Sequence, residues 1–128
     1  MLVAAALVAA VLAVAERSAA AAAAAEPTAQ TPPCAERLDA TYYDPSLAGQ
    51  PMANGQPYDP RNPQLASSNR HHLGTHLLLR RADGVATVVV EVMDRGSPEL
   101  GLDLSEAAFQ RLGSLQEGRI PVCVEVVR

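Results

Sequence analysis

An acid stands where a buried strand runs out. Val88-Val89-Val90-Glu91-Val92-Met93 is an apolar, β-branched run, and Asp94-Arg95-Gly96 ends it. A carboxyl at such a place sits half out of water, and it can give or take a proton. The alternative is that Asp94 only pairs with Arg95 and shapes the turn. Other groups able to do chemistry are few. His71, His72 and His76 lie close together, but Gly74 and the apolar alternation after it make this a turn and a strand. The i, i+4 spacing that serves a metal on a helix is therefore lost, and no metal or cofactor is expected.

The elements that must hold these groups are short. Leu38 to Tyr43 reads as a first strand, closed by Asp44-Pro45, with Asp44 as a turn former. Residues 46–63 are loop, because Gly49, Pro51, Asn54-Gly55, Pro57, Pro60 and Pro63 interrupt both helix and central strand. A loop this long in a small domain is often functional. Leu65–Ser68 and His76–Arg80 are further strands, and Asp83-Gly84 makes a tight turn into Val85–Met93. Asp103-Leu104-Ser105-Glu106 resembles a capping box with Asp103 as the cap. Leu104, Ala107, Ala108 and Leu112 follow at helical spacing, so one short helix is expected over about 104–112, ended by Gly113. Ile120–Val127 alternates as a last strand. Five or six strands, one helix and long loops make a mainly β fold. A small closed barrel best removes its edges.

Bulk properties narrow the function. The formal charge of −4 and the lack of a basic stripe give nothing to neutralise phosphates, so no nucleic-acid partner is expected. With 3% aromatic residues and no Trp, a broad sugar-stacking platform is not expected, although Tyr42, Tyr43 and Tyr58 remain. Tyr42 and Tyr43 point to opposite sides of their strand, and Tyr58 in the long loop can stack on a sugar ring.

Leu2 to Ala15 is apolar and of signal-peptide length, with Ala-x-Ala cleavage options up to Ala25. Residues 1–25 are therefore expected to be a signal peptide, an uncleaved anchor being the alternative. Residues 26–37 are expected to be a linker, rich in Pro, Thr and Ala from Glu26 to Pro33, and residues 38–128 the folded domain. Export puts the domain in a secreted or periplasmic setting, where small domains are often stapled. Cys34 and Cys123 fit a disulfide closing almost the whole domain, which chain entropy values at up to roughly 4–5 kcal/mol. Thr31-Pro32-Pro33 before Cys34 lies far beyond the apolar core, unlike a lipidated cysteine. No lipid anchor is expected, and the domain reads as a monomer.

The order of motifs carries a resemblance. Ala40-Thr41-Tyr42-Tyr43 is followed by Ala53-Asn54-Gly55-Gln56, then Leu73-Gly74-Thr75. Val92-Met93-Asp94-Arg95-Gly96 comes next, then Leu102-Asp103-Leu104-Ser105 and a final Pro-Val-x-Val-Glu-Val strand. The series, over about residues 38 to 127, resembles the catalytic domain of the rare lipoprotein A family. That domain is a six-stranded double-psi β-barrel related to expansin N-terminal domains and barwin. The resemblance implies an exported protein whose partner is peptidoglycan or a related polysaccharide. It also implies a lytic transglycosylase, which cuts the glycan without water and leaves a 1,6-anhydro end.

Carried over by position, Asp94 keeps the family's acid, while Gln56 stands where the family usually has Glu. The family's His falls near Ser68 or Asn69, and His71 or His72 is the nearest replacement for its proton-transfer role. Gln56 cannot move a proton but can hydrogen-bond a sugar hydroxyl. Asn54, Asn69, Tyr43 and Tyr58 are expected beside it as substrate contacts. In the related family 45 endoglucanases an acid follows a similar aromatic strand, and a second lies in a motif like Leu102–Ser105. That makes Asp44 and Asp103 a conceivable pair, against their simpler readings as turn former and helix cap. Asp94, His71 and Asp44 are thus the expected catalytic groups. Three functions follow as alternatives: a glycan-cleaving enzyme, a non-catalytic expansin-like binding module, and an inhibitor or interaction domain with a vestigial groove.

Overall fold

The computed structural model describes residues 33–96, 99 and 101–128. The expected signal peptide (1–25) and most of the expected linker lie outside the described residues. Six strands form: β1 (Glu36–Tyr42), β2 (Leu65–Ser67), β3 (His76–Arg81), β4 (Thr87–Asp94), β5 (Leu102–Leu104) and β6 (Ile120–Val127). They close into a barrel in the order β1-β5-β2-β4-β3-β6. The pairs β1/β5 and β2/β4 are parallel and the other four antiparallel. This is a mainly β, double-psi type of barrel, as expected.

Alternation builds its interior. Leu38 and Ala40, Ala66, Leu77 and Leu79, Val90 and Val92, Leu102 and Leu104, and Ile120, Val122 and Val124 all point inward. Helix α1 (Glu106–Leu112) adds Ala108, Phe109 and Leu112 to the same core. Each large side chain so buried contributes roughly 1.5–3 kcal/mol. Cys34 and Cys123 are disulfide-bonded, 89 residues apart, tying the chain before β1 to the middle of β6.

Two boundaries differ from expectation. β1 starts at Glu36, inside the expected linker, because β6 extends far enough to pair Glu36 with Val124. The helix starts later than expected, and its cap is Ser105, whose side chain accepts from the Ala108 N–H at 3.0 Å. Asp103 is not the cap. It lies in β5, which pairs on both sides, so Leu102 and Leu104 turn into the core and Asp103 turns out. Period 2, not 3.6, rules those three residues.

Candidate functional site

Four outward side chains line up across the sheet. In register, Thr41 of β1 faces Asp103 of β5, Asp103 faces Ser67 of β2, and Ser67 faces Asp94 of β4. Asp94 reaches this row through an irregularity. Ala66 pairs with Val92, but Ser67 pairs with Asp94, so the register slips past Met93. Strict alternation would have put Asp94 on the inner face with Val90 and Val92. A shift of this kind re-aims a side chain. The two carboxyl-bearing residues stand two strands apart, roughly 10 Å between backbones, with buried Ser67 between them.

The long loop anchors Asp94. Its Oδ2 accepts from the Tyr43 hydroxyl at 2.7 Å, and its Oδ1 accepts from the N–H groups of Ala53 and Arg95, each at 2.8 Å. The loop lies on the barrel's outer face through a second apolar cluster of Tyr43, Met52, Tyr58 and Leu65, with Met93 against it. Gly55, at φ +85°, closes the turn from Met52 that presents Ala53, and the Asn54 N–H bonds the Met93 carbonyl. Burial, then the bond to Asp94, holds the Tyr43 phenol far above its usual range, so it stays a donor.

Asp103 has a different setting. Burial raises its carboxyl above the usual range, the Thr41 hydroxyl at 3.0 Å opposes that rise, and the charge of Asp94 adds to it. An anchored carboxyl and a desolvated one, separated by a single strand, form an arrangement suited to moving one proton. Behind Asp94 the chain passes close over Ser67. A Cβ at Gly96 would lie 2.8 Å from Ser67 Oγ, and the Asn69 side-chain amide bonds the Gly96 carbonyl.

Several expected site residues also make structural contacts. Asp44 caps the 3-10 turn Pro45–Leu47 by accepting from the Ser46 N–H at 2.8 Å, which holds its carboxyl below the usual range. That bond favours the ionised form of Asp44 and gives it the turn-forming part. His71 is also engaged elsewhere. Its Nδ1 is 3.0 Å from Ser68 Oγ and its Nε2 is 3.1 Å from Glu36 Oε1. Tyr58 is buried and stacks on Tyr43, centroids 4.3 Å apart, so neither ring offers a face to a sugar. Burial pushes the Tyr58 phenol up to about 12. Asn54 spends its side-chain oxygen on the Gln56 N–H, and Asn69 ties the strand ends together. Gln56 is exposed beside the loop tip. Among the described residues no group of three or more His, Cys, Asp and Glu could hold a metal ion.

Thr41 and Ser67 were not singled out from the sequence, and Asp103 was singled out chiefly as a cap. The available signal was the alternation Leu102-Asp103-Leu104, which fits a strand as well as a cap.

Residues 35–124 match the family model described as lytic transglycolase, and the chain belongs to that family. An uncharacterised Synechocystis protein, ssl3177, is 35% identical over 85 residues, covering 66% of this chain and 91% of its own. A Clavibacter michiganensis expansin is 34% identical with a TM-score of 0.54, covering 72% of this chain. This chain spans only about half of that expansin's length (50%). A point mutant of the same expansin was solved in complex with cellohexaose, at 30% identity and a TM-score of 0.54 over 73% of this chain and 51% of that one. The Streptomyces papain inhibitor shares the fold, at 23% identity and a TM-score of 0.53, covering 75% of this chain and 98% of the inhibitor.

Proposed function

We propose that this domain is an exported lytic transglycosylase of cell-wall glycan, with Asp103 as the proton-moving acid and Asp94 as the fixed counter-charge. The carrying observation is the row Thr41–Asp103–Ser67–Asp94, in which one carboxyl is desolvated and the other held by three donors. Asp103 gives its proton to the glycosidic oxygen as the bond to the anomeric carbon breaks. Asp94 opposes the positive charge that develops on the sugar. The sugar's own 6-hydroxyl then bonds the anomeric carbon, and its proton goes to Asp103, restoring the starting state. No water is consumed, and the product is a 1,6-anhydro end. Asp103 thereby takes the part that Gln56, in place of a Glu, cannot play. The Cys34–Cys123 bridge supports an oxidising, exported setting.

A second reading is a binding module without catalysis. Gln56 and the absence of the family's His at Ser68 or Asn69 favour it, as does the expansin solved with cellohexaose. One experiment separates the two. The protein is incubated with denuded glycan strands, and the products are examined by mass spectrometry for anhydro ends. Ends that vanish in Asp103→Asn and Asp94→Asn establish the enzyme. Strands that pellet the protein but stay uncut establish the binder, and strands that do neither end both readings.

A further inference from the structure

The barrel is closed, but β4 is not paired on both sides along its whole length. β3 pairs with Thr87 to Glu91, whereas β2 pairs only with Glu91, Val92 and Asp94. Thr87 to Val90 therefore have one partner strand and one open edge. The ladder says which groups face that edge. The Arg81 N–H bonds the Ala86 carbonyl and the Val92 N–H bonds the Thr75 carbonyl, so even-numbered residues of β4 turn their backbone groups toward β3. Odd-numbered ones turn away, as the Glu91 N–H does to reach the Gln64 carbonyl at 2.6 Å. The N–H and C=O of Thr87 and Val89 thus face the open side, one residue's groups about 7 Å from the next. Among the described residues they have no backbone partner there.

The gap is built into the loop before β2. In a continued parallel ladder, Val89 would donate to the Asn62 carbonyl and accept from the Gln64 N–H. Both groups are engaged elsewhere. The Asn62 carbonyl accepts from the Ser105 hydroxyl, and the Asn62 side-chain oxygen takes the Gln64 N–H at 3.0 Å. The Pro60 carbonyl accepts from the Ala107 N–H at 3.0 Å, which pins the loop to helix α1. What is left beside β4 is a groove of about 250 Å³ lined by Pro63, Gln64, Thr87, Val88, Val89 and Arg111.

The lining groups define what fits. Two N–H donors and two carbonyl acceptors at strand spacing match an extended polypeptide backbone. Pro63, Val88 and Val89 supply apolar walls. Arg111, exposed in the last turn of α1, is the charged side chain of the groove, and it has no ion-pair partner among the described residues. A guanidinium so placed favours a carboxylate. We infer that the open edge of β4 is a docking site for an extended, acidic segment of a partner protein, which adds a strand where β2 turns away. This surface is separate from the row that ends at Asp94 and does not depend on the glycan reading.

The test follows amide hydrogen exchange by NMR in the full-length protein. The probe is a capped hexapeptide that alternates valine with threonine and carries one glutamate, added to about 1 mM. Without peptide, the Thr87 and Val89 amides should exchange faster than those of Val88 and Val90. With peptide, exchange at Thr87 and Val89 should slow at least about fivefold. Val89→Pro removes an edge donor that the barrel does not use, a change edges tolerate, and should weaken binding about tenfold. Arg111→Gln leaves the strand untouched. It should weaken the glutamate peptide about fivefold and leave its glutamine counterpart unchanged. No slowing at either amide overturns the inference, as does equal slowing by a peptide whose backbone nitrogens are methylated. Slow exchange at both amides without peptide, growing with protein concentration, would assign the edge to a second copy of this chain and overturn the partner segment.

Discussion

The Tyr43 hydroxyl donates to Asp94 Oδ2 at 2.7 Å, joining the end of the first strand to the end of the fourth across 51 residues of sequence. The same ring lies against Tyr58 at 4.3 Å. One side chain thus binds the long loop to the barrel and orients the carboxyl that ends β4. Tyr43→Phe keeps the stacking and removes the donor. Asp94 then retains two N–H partners, and stability should fall by about 1–3 kcal/mol, read from urea unfolding. Cleavage or binding of glycan should fall about tenfold, equivalent to about 1.4 kcal/mol. Alkali gives a second check. Because folding raises the phenol, its contribution is complete below pH 10, the ordinary tyrosine value, and is lost as pH rises above it. The native protein should therefore lose more stability above pH 10 than Tyr43→Phe does.

Asp103 should show function and stability pulling apart. Its carboxyl is raised in the fold, chiefly by burial, so the protonated form is the better fitted one. The stability this group lends is present in acid, below the ordinary aspartate range, and is lost as pH rises through the folded value. Above that value a charged Asp103 is a cost. Asp103→Asn should therefore raise the melting temperature increasingly as pH rises, with the gain vanishing in acid. Its glycan-cleaving rate should drop by about 10²–10⁴-fold. A variant that is both less stable at pH 7 and fully active would contradict the assignment.

The staple is tested by its removal. The Cys34–Cys123 bridge closes a loop of 89 residues in separation. Cys34→Ser with Cys123→Ser should cost about 2–5 kcal/mol in guanidinium unfolding. Reduction of the native protein should have the same effect. A thiol titration of unreduced protein should find no reactive sulfhydryl, whereas two thiols would exclude the bridge.

How much of this was legible beforehand depends on the kind of information needed. The barrel was readable because Val88–Met93 is a β-branched apolar run and Ile120–Val127 alternates, and the bridge because two cysteines flank a small domain. Asp94 was readable as an acid at a strand's end. Its orientation was not, since the slip between Ala66 and Ser67 depends on pairing with a strand more than twenty residues away. Asp103 was misplaced because Asp-Leu-Ser-Glu serves a cap and a strand equally well until β1 and β2 are seen on either side. His71 was given a proton to carry because of its type and neighbourhood in sequence. Only the fold brings Glu36 to its other nitrogen. Tyr58 looked like a sugar platform because it sits in a polar loop, yet that loop folds back and buries it.

The closest constraint in the site is the one between Gly96 and Ser67. A methyl group at 96 would stand 2.8 Å from Ser67 Oγ, under the contact distance real side chains keep. Ser67 is buried and sits in register with both Asp94 and Asp103, so its hydroxyl must turn aside within a packed site. Gly96→Ala should cost about 1–3 kcal/mol and displace Asp94, lowering glycan activity as well. Ser67→Ala alone removes the obstructing oxygen and should be mild. The double variant should recover most of the stability lost in Gly96→Ala, a coupling of at least about 0.5 kcal/mol in a double-mutant cycle. Additive losses would mean that the two residues do not touch, and that something other than crowding places the glycine after Asp94.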